Sequence, residues 1–173
     1  MQASSRSLTV RDAETRDAAL LLGLIGELAE YEHLSELVTG TEHDLAAALS
    51  GPAPAAEALI AERGGQTAGF ALFFTTFSTF LCQSGLWLED LFVRPAHRGA
   101  GVGRELMAQV ARRAVQRGAG RLEWTALDWN EPALGFYSQL GARTMDDWIT
   151  HRLEGEALRG VAAPSVSERR DAR

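Results

Sequence analysis

The sequence is poor in the features that mark secreted, disulfide-rich and membrane-spanning proteins. It contains a single cysteine, Cys82, which excludes an internal disulfide framework and favours a reducing compartment. No apolar run approaches the ~20 residues that a membrane span needs. The first residues, MQASSRSLTV, also lack the apolar region of a signal peptide. We therefore expect a cytoplasmic protein without a membrane segment.

Basic charge is scarce as well. The chain has 17 Lys and Arg residues against 23 Asp and Glu residues, a formal net charge of −6. Proteins that hold a nucleic-acid backbone usually carry an excess of positive charge, so we expect no nucleic-acid partner. The acidity is compatible with a cationic substrate and equally with an ordinary solvated surface. The four histidines have no metal-ligand spacing, and we predict no metal site.

The chain does have the size and composition of one globular domain, with 173 residues, 46% hydrophobic and 23% charged. Periodicity and capping signals predict a strand at 7–11, a helix at 15–32, a short helix opened by TEHD at 41–44, a hairpin at 57–63 and 67–77, a strand at 85–93, a helix at 102–117, a strand at 121–127, a short helix after DWNEP at 128–132 and a last strand at 147–153. No internal repeat or second domain is visible. We expect one domain over residues 8–160 and a disordered tail over 161–173.

A glycine-rich stretch, HRGAGVG at 97–103, stands between a predicted strand and a predicted helix. Glycine is required where the backbone takes angles that side chains forbid, or where it closely approaches another group. A loop of this kind at a helix start presents backbone amides to an anion, and Arg98 adds a forked cationic donor. The alternative is a simple connecting turn, and three glycines in five residues argue against it.

A dinucleotide site is another interpretation of these glycines, because Asp128 ends the next predicted strand, where a ribose-binding acid would lie. That fingerprint places G-x-G-x-x-G directly at the end of the strand. Here RPAHR at 94–98 intervenes and the pattern is G-x-G-x-G. The Lys-Ser/Thr pair of a P-loop is also missing. The residues therefore indicate a pyrophosphate site of a different kind.

LEDLFVRPAHRGAGVG, at 88–103, resembles the acetyl-CoA signature of the GNAT N-acetyltransferase superfamily, with Arg98, Gly101 and Gly103 at the Arg/Gln-x-x-Gly-x-Gly/Ala positions. Four further segments extend the resemblance, which covers about residues 8–160, to the spermidine/spermine and thialysine acetyltransferase subgroup: ELAEYE (27–32), FALFF (70–74), WNEP (129–132) and FYSQLGA (136–142). The resemblance implies an α/β GNAT fold, whose mixed, mostly antiparallel sheet is splayed at the cofactor site and flanked by helices. It also implies a homodimer.

The resemblance implies acetyl-CoA as co-substrate. The amides of the glycine stretch would receive its pyrophosphate at the helix start, while the end of the preceding strand pairs with the pantetheine arm and Asn130 holds the arm's other side. The residues implied for cofactor binding are Leu91, Phe92, Val93, Arg98, Gly99, Ala100, Gly101, Val102, Gly103, Asn130 and Tyr137.

Acetyl transfer to an amine needs a base, because an alkylamine with a pKa near ~10.4 is protonated at neutral pH. We predict Glu89 as the base, directly or through water. The alternative is a charged residue that merely faces solvent. Tyr137 is the predicted acid for the leaving thiolate, and its alternative is a core aromatic. A backbone amide within 91–93 would stabilise the oxyanion.

The subgroup resemblance assigns Tyr31, Glu32 and Asp90 to the amine groove, where carboxylates suit a cationic chain, and the alternative for each is an ordinary surface residue. Glu89, the predicted base, is added to these substrate-binding residues. The expected activity is acetyl transfer to a primary amine of a polyamine or lysine analogue, by direct attack in a ternary complex. Two alternatives stay open. One is a GNAT enzyme for another amine, such as an aminoglycoside, amino acid or peptide. The other is a non-catalytic acyl-CoA-binding module.

Overall fold

The computed structural model of the protein describes residues 7–162. Its elements, in chain order, are β1 (Leu8–Asp12), α1 (Ala18–Tyr31), α2 (Glu42–Ala48), β2 (Glu57–Arg63), β3 (Gln66–Ser78), β4 (Gln83–Val93), α3 (Val102–Gln116), β5 (Leu122–Glu123), α4 (Glu131–Gln139) and α5 (Gly155–Ala162). They divide into two compact units, the first ending at Thr125 and the second beginning at Ala126. None of the described helices is both long and apolar enough to cross a membrane.

The first unit is built on a five-stranded sheet in the order β1-β2-β3-β4-β5. The first four strands are antiparallel to their neighbours, and β4 pairs with β5 in parallel. The α/β class, the hairpin and the mixed sheet are therefore confirmed, and β4 has a neighbour on each side as a central strand should. The prediction for 121–127 is wrong in extent, because only Leu122 and Glu123 pair with β4 and the chain then leaves the sheet.

Helix α1 buries the stripe that its leucine spacing predicts. Leu21 and Leu24 are fully buried against the sheet, and Leu28 packs beside them. Helix α2 opens with the predicted capping box, in which the Asp44 amide donates to Thr41 Oγ1 at 3.2 Å and the Thr41 amide donates to the Asp44 carboxylate at 3.0 Å.

The sheet has an apolar core on each face. On the α1 face the core residues are Leu21, Leu24, Ala58, Ile60, Phe70, Leu72 and Phe92. On the other face α3 contacts the sheet and buries Val102, Leu106 and Val110. Phe73 belongs to this second face, since its ring centroid lies 6.0 Å from the guanidinium of Arg117 at the end of α3.

A β-bulge interrupts the ladder between β3 and β4 at Glu89. Leu72 pairs with Asp90 and Phe73 pairs with Leu88, which leaves Glu89 opposite no residue of β3. Paired residues share a face of the sheet, and adjacent residues of one strand lie on opposite faces. Leu88 therefore faces α3 together with Phe73, whereas Asp90 faces α1 together with Leu72. The bulge is what directs Asp90 out of the α3 core.

The second unit contains α4 and α5. Helix α4 begins after Asn130 with a proline in its first turn, as predicted. The strand predicted at 147–153 is wrong: this segment contains neither helix nor strand, and Trp148, Ile149 and Leu153 are exposed. It has no strand neighbour within the described residues to complete a ladder. Of the tail predicted to be disordered, Val161 and Ala162 belong to α5, and residues 163–173 lie outside the described part.

Candidate active site

The glycine loop, residues 97–103, follows β4 and ends in the first turn of α3. Gly99 has φ 71° and Gly101 has φ 82°, both in the left-handed region that side chains disfavour. A Cβ built on either glycine would meet no protein atom within 4 Å, so crowding by the protein is not the reason for these residues. Gly101 is the N-cap of α3 and provides no side-chain cap for the first amides of the helix. Those amides are placed to donate to an anion.

Arg98 is the second residue of the loop, but its side chain turns back toward the sheet and α1. Its Nε donates to the Val93 carbonyl at 2.9 Å, and its guanidinium carbon lies 4.6 Å from the ring centroid of Tyr31. The structure thus brings together two predicted cofactor residues, Val93 and Arg98, with one predicted substrate residue, Tyr31.

The sheet is splayed at the C-terminal end of β4. Strand β5 pairs only with Leu86 and Trp87, and no other described strand covers that side of β4 as far as Val93. Within this open section Phe92 is buried in the core beside Phe70, with their ring centroids 6.4 Å apart, while Leu91 and Val93 are half-buried. The backbone edge of residues 91–93 can accept an extended ligand as an added strand.

A groove of about 500 Å³ lies beside β4, bounded by α1, the segment 34–41 and α2. Its apolar walls are formed by Leu22, Ile25, Leu28, Ala29, Leu34, Leu37, Val38 and Leu45. Its carboxylates are Glu32, Asp44, Glu89 and Asp90, and no arginine, lysine or histidine of the first unit's described residues lines it. We call this feature the acidic groove. Three of the four predicted substrate residues line it, and Tyr31 does not.

The acidic groove raises the pKa of two of its carboxyl groups. Burial, reinforced by the charges of Glu89 and Glu32, raises the pKa of Asp90 from 3.8 to about 6. Burial also raises the pKa of Glu32. Neither carboxylate pairs with a cationic side chain among residues 7–162. Asp44 differs, since it is held by its capping contacts with Thr41.

Glu89, like Asp44, is an exposed carboxylate of the groove. Trp87, two residues earlier on β4, donates from its indole Nε1 to Glu89 Oε2 at 2.8 Å. This hydrogen bond restrains the orientation of the carboxylate through Oε2. Sequence reasoning placed both acids on a regular strand and missed the bulge that separates them. The signal available was the pair of adjacent acids inside an apolar strand.

The last two predicted residues belong to the second unit. Asn130 is buried at the N-cap of α4, where its side-chain oxygen accepts from the Ala133 amide at 3.3 Å. Tyr137 lies two turns further along the same helix, and its ring packs against Phe136 with the centroids 5.3 Å apart. The structure thus gives the Asn130 oxygen a local capping role that the resemblance did not imply.

A splayed mixed sheet, followed by a glycine loop at a helix start, is the arrangement of an N-acetyltransferase. The sequence profile of the acetyltransferase (GNAT) family matches residues 27–142. The chain belongs to this family and is an N-acetyltransferase.

Curated relatives support the same assignment. Thialysine N-epsilon-acetyltransferase of Sus scrofa is 35% identical over 167 residues, covering 90% of this chain and 98% of the relative. L-ornithine N5-acetyltransferase of Arabidopsis thaliana is 44% identical over 94 residues, covering 54% of this chain and 41% of that protein. The predicted similarity to the thialysine and spermidine/spermine acetyltransferases is confirmed.

Solved structures agree on the fold. An integron cassette protein from V. cholerae superposes with a TM-score of 0.77 at 26% identity, covering 91% of this chain and 99% of that one. An aminoglycoside acetyltransferase from a soil metagenome superposes with a TM-score of 0.70 at 24% identity, covering 86% and 98%. The second likeness concerns the fold alone.

Proposed function

We propose that this enzyme transfers the acetyl group of acetyl-CoA to a primary amine of a small cationic substrate, a polyamine or a lysine analogue, by direct attack in a ternary complex. The observation that carries the proposal is the acidic groove. Burying carboxylates without a cationic partner costs free energy, and a bound ammonium group offsets this cost. The groove and the glycine loop are joined by residues 91–96, of which 91–93 are the end of β4.

On the cofactor side, the pyrophosphate of acetyl-CoA binds the amides of Gly99, Ala100, Gly101, Val102 and Gly103. The open amides at the start of α3 and the positive end of the helix support this assignment. The pantetheine arm lies along Leu91, Phe92 and Val93, with the splayed edge as its support. Asn130 is assigned to the arm by resemblance alone.

On the amine side, Glu32 and Asp90 bind ammonium groups of the substrate. Both carboxylates are half-buried among apolar side chains, which strengthens their attraction for a cation. The first unit's described residues place no arginine in this groove, so a substrate gains most there from positive charge and from methylene surface. The names of the relatives, which refer to thialysine and L-ornithine, support amines as the substrate class.

In the reaction, Glu89 accepts a proton from the substrate ammonium, directly or through water. The neutral nitrogen attacks the thioester carbon, and a backbone amide of residues 91–93 stabilises the oxyanion. The attacking nitrogen of the tetrahedral intermediate then loses a second proton to solvent, the C–S bond breaks as the intermediate collapses to the amide, and the thiolate takes a proton from Tyr137, which recovers one from solvent. The exposure of Glu89 on the groove supports its role. The role of Tyr137 comes from the resemblance of FYSQLGA.

A thiol-release assay with acetyl-CoA and a panel of amines tests this function. The panel contains polyamines, lysine analogues, aminoglycosides and peptides, with mass detection of the acetylated product. We expect turnover with small polycations. The one exposed thiol of the protein, Cys82, gives a constant background that an amine-free control removes. Acetyl-CoA binding without turnover on any amine would instead support a non-catalytic module, and the proposal would fail.

Two further properties belong to the proposal. The subgroup resemblance implies a homodimer, and the exposed apolar residues at the β3–β4 turn are compatible with burial against a second copy: Phe77 is 64% exposed and Phe80 is 89% exposed. A cytoplasmic location stays a prediction from the single cysteine. Sedimentation of the purified chain tests the dimer.

A further inference from the structure

Helix α1 and the end of β4 are connected by two contacts that lie one helical turn apart. Glu27 accepts from Arg94, whose Nε lies 2.9 Å from Glu27 Oε2. Four residues further along each partner, the Tyr31 ring stacks on Arg98. Residues i and i+4 of a helix share a face, so both contacts come from one side of α1.

The two contacts connect α1 to different parts of the protein. Arg94 also donates to the Thr67 carbonyl of β3 at 3.0 Å, so the first contact ties α1 to the sheet itself. Arg98 donates from Nε to the Val93 carbonyl and is followed directly by Gly99. The second contact therefore ties α1 to the beginning of the glycine loop.

The loop needs such a restraint. Gly99 and Gly101 are the residues with the widest choice of backbone angles, and loss of that freedom opposes an ordered loop. The Arg98 side chain crosses from Val93 to Tyr31 and limits the positions that the loop can take. A guanidinium over an aromatic face keeps its N–H donors at its edge, so Arg98 contacts Tyr31 and donates to Val93 at the same time.

We propose that Tyr31 is a positioning residue for the glycine loop, acting through Arg98, rather than a wall of the acidic groove. The inference rests on the proposed function, in which that loop binds acetyl-CoA. It departs from the sequence-based assignment of Tyr31 to the substrate, and the lining of the groove agrees, because Glu32 lines it and Tyr31 does not. Tyr31 and Arg98 then act together on the glycine loop, instead of making separate substrate and cofactor contacts.

Hydrogen–deuterium exchange of the unliganded full chain tests the positioning role without any cofactor. Tyr31→Leu should raise exchange in a peptide spanning 95–103, and Tyr31→Phe, which keeps the aromatic face, should not. Glu30→Gln, an exposed change on the same helix turn, is the matched control. Unchanged exchange at 95–103 in Tyr31→Leu would overturn the inference.

Acetyl-CoA titration then measures the consequence. Tyr31→Leu should raise the acetyl-CoA Kd about two- to fivefold, the factor that corresponds to one exposed cation–π contact. In an Arg98→Gln background the same change should have no additional effect, because the two side chains act together. Arg98→Gln also keeps the test available if Tyr31→Leu fails to fold, since Arg98 is exposed. It should raise exchange at 95–103 by itself.

The KM for the amine provides the measurement that could contradict the inference. At saturating acetyl-CoA, Tyr31→Leu should leave the amine KM unchanged. A raised amine KM with an unchanged acetyl-CoA Kd would return Tyr31 to the groove and contradict the inference. If the wild-type chain binds no acetyl-CoA, the proposed function fails, while the exchange comparison still decides whether Tyr31 positions the loop.

Discussion

At the scale of the single residue, the position of Asp90 lowers the stability of the fold but favours the binding of a cation. The bulge at Glu89 turns it toward α1, where apolar side chains and two neighbouring carboxylates disfavour its charged form. A carboxylate in such a place weakens the unliganded fold but attracts a cationic ligand. A residue that is unfavourable for stability and favourable for binding is typical of a functional site.

Replacement of Asp90 by asparagine should therefore stabilise the protein at pH 8. Because the folded pKa of about 6 lies above the ordinary 3.8, the folded state binds more protons than the unfolded state between these values. The stability that protonation supplies is present below pH ~4 and is lost as the pH rises through ~6. We expect a gain of about 1–2 kcal/mol at pH 8, reduced for partial solvent access, that vanishes near pH 4.

Urea unfolding at pH 8, 6 and 4 measures this gain. Glu30→Gln removes an exposed carboxylate from α1 and should stay within about 0.5 kcal/mol of wild type at each pH. A variant Asp90→Asn that is less stable than wild type at pH 8 would mean that the carboxylate has a stabilising partner, against the description of the groove given above.

Tyr137 permits a second test at this scale. If its phenol protonates the departing thiolate, Tyr137→Phe keeps the ring and removes only the proton, so kcat should fall by ~10² while acetyl-CoA affinity hardly changes. The loss should shrink for an acyl donor whose leaving thiol has a low pKa. Steady-state kinetics and cofactor titration measure both. A near-wild-type kcat, where chemistry limits the rate, would leave Tyr137 as a packing residue of α4.

At the scale of the element, helix α3 offers a matched pair of glycines. Gly101 is left-handed at its N-cap and Gly118, φ 65°, is left-handed just beyond its other end, each without a protein atom within 4 Å of a built Cβ. Valine at either position should strain the backbone, but only Gly101→Val should weaken acetyl-CoA binding, by about tenfold or more. Calorimetry on both folded variants measures the acetyl-CoA affinity of each. Equal affinities would remove the loop from cofactor binding.

Strand β3 contains a glycine that is required by the close approach of the neighbouring strand. Gly69 pairs with Val93, and a Cβ at Gly69 would collide with the Phe92 carbonyl. Gly69→Ala should therefore push β4 away and destabilise the fold by about 1–3 kcal/mol. Gly23, in the exposed middle of α1 with open space around it, is the control, where alanine should add up to about 1 kcal/mol. Denaturant unfolding of both should give opposite signs, and a neutral Gly69→Ala would contradict the close approach.

Sequence reasoning succeeded for elements whose local signals agree with their burial. The leucine stripe of α1, the TEHD capping box and the alternation of the β2–β3 hairpin each act within a few residues of chain. It failed where the formation of a strand depends on a pairing partner elsewhere in the chain. Residues 147–153 have the composition of a strand, but no strand pairs with them among residues 7–162, and 121–127 is cut short for the same reason.

The features of the candidate site likewise fall into those that the sequence predicted and those that it did not. The glycine pattern predicted unusual backbone angles in this loop, and Gly99 and Gly101 have the left-handed angles that glycine adopts at the least cost. The Trp87–Glu89 hydrogen bond spans only two residues. The bulge at Glu89 and the contact of Arg98 with Tyr31 depend on residues far apart in the chain, and no local pattern encodes them. The separate roles of Glu89 and Asp90 therefore emerge only from the fold.

At the scale of the whole molecule, the acidic charge of the chain suits the cationic substrate that we propose. The net charge of −6 and the four carboxylates of the groove act in the same direction on an approaching polycation. In the proposed function, the acidic groove binds a second positive charge of the substrate while the first amine reacts. A general attraction of the acidic surface would also favour two charges over one, but that preference would persist when the Glu32 and Asp90 charges are removed.

The most direct test compares kcat/KM for 1,5-diaminopentane and pentylamine, which share their length and reacting amine and differ in one charge. The wild-type enzyme should prefer the diamine by about tenfold or more, the scale of one charged hydrogen bond. In the double variant Glu32→Gln/Asp90→Asn this ratio should fall toward one, with the acetyl-CoA Kd unchanged. A ratio near one in the wild type, or an equal preference in the double variant, would contradict the account.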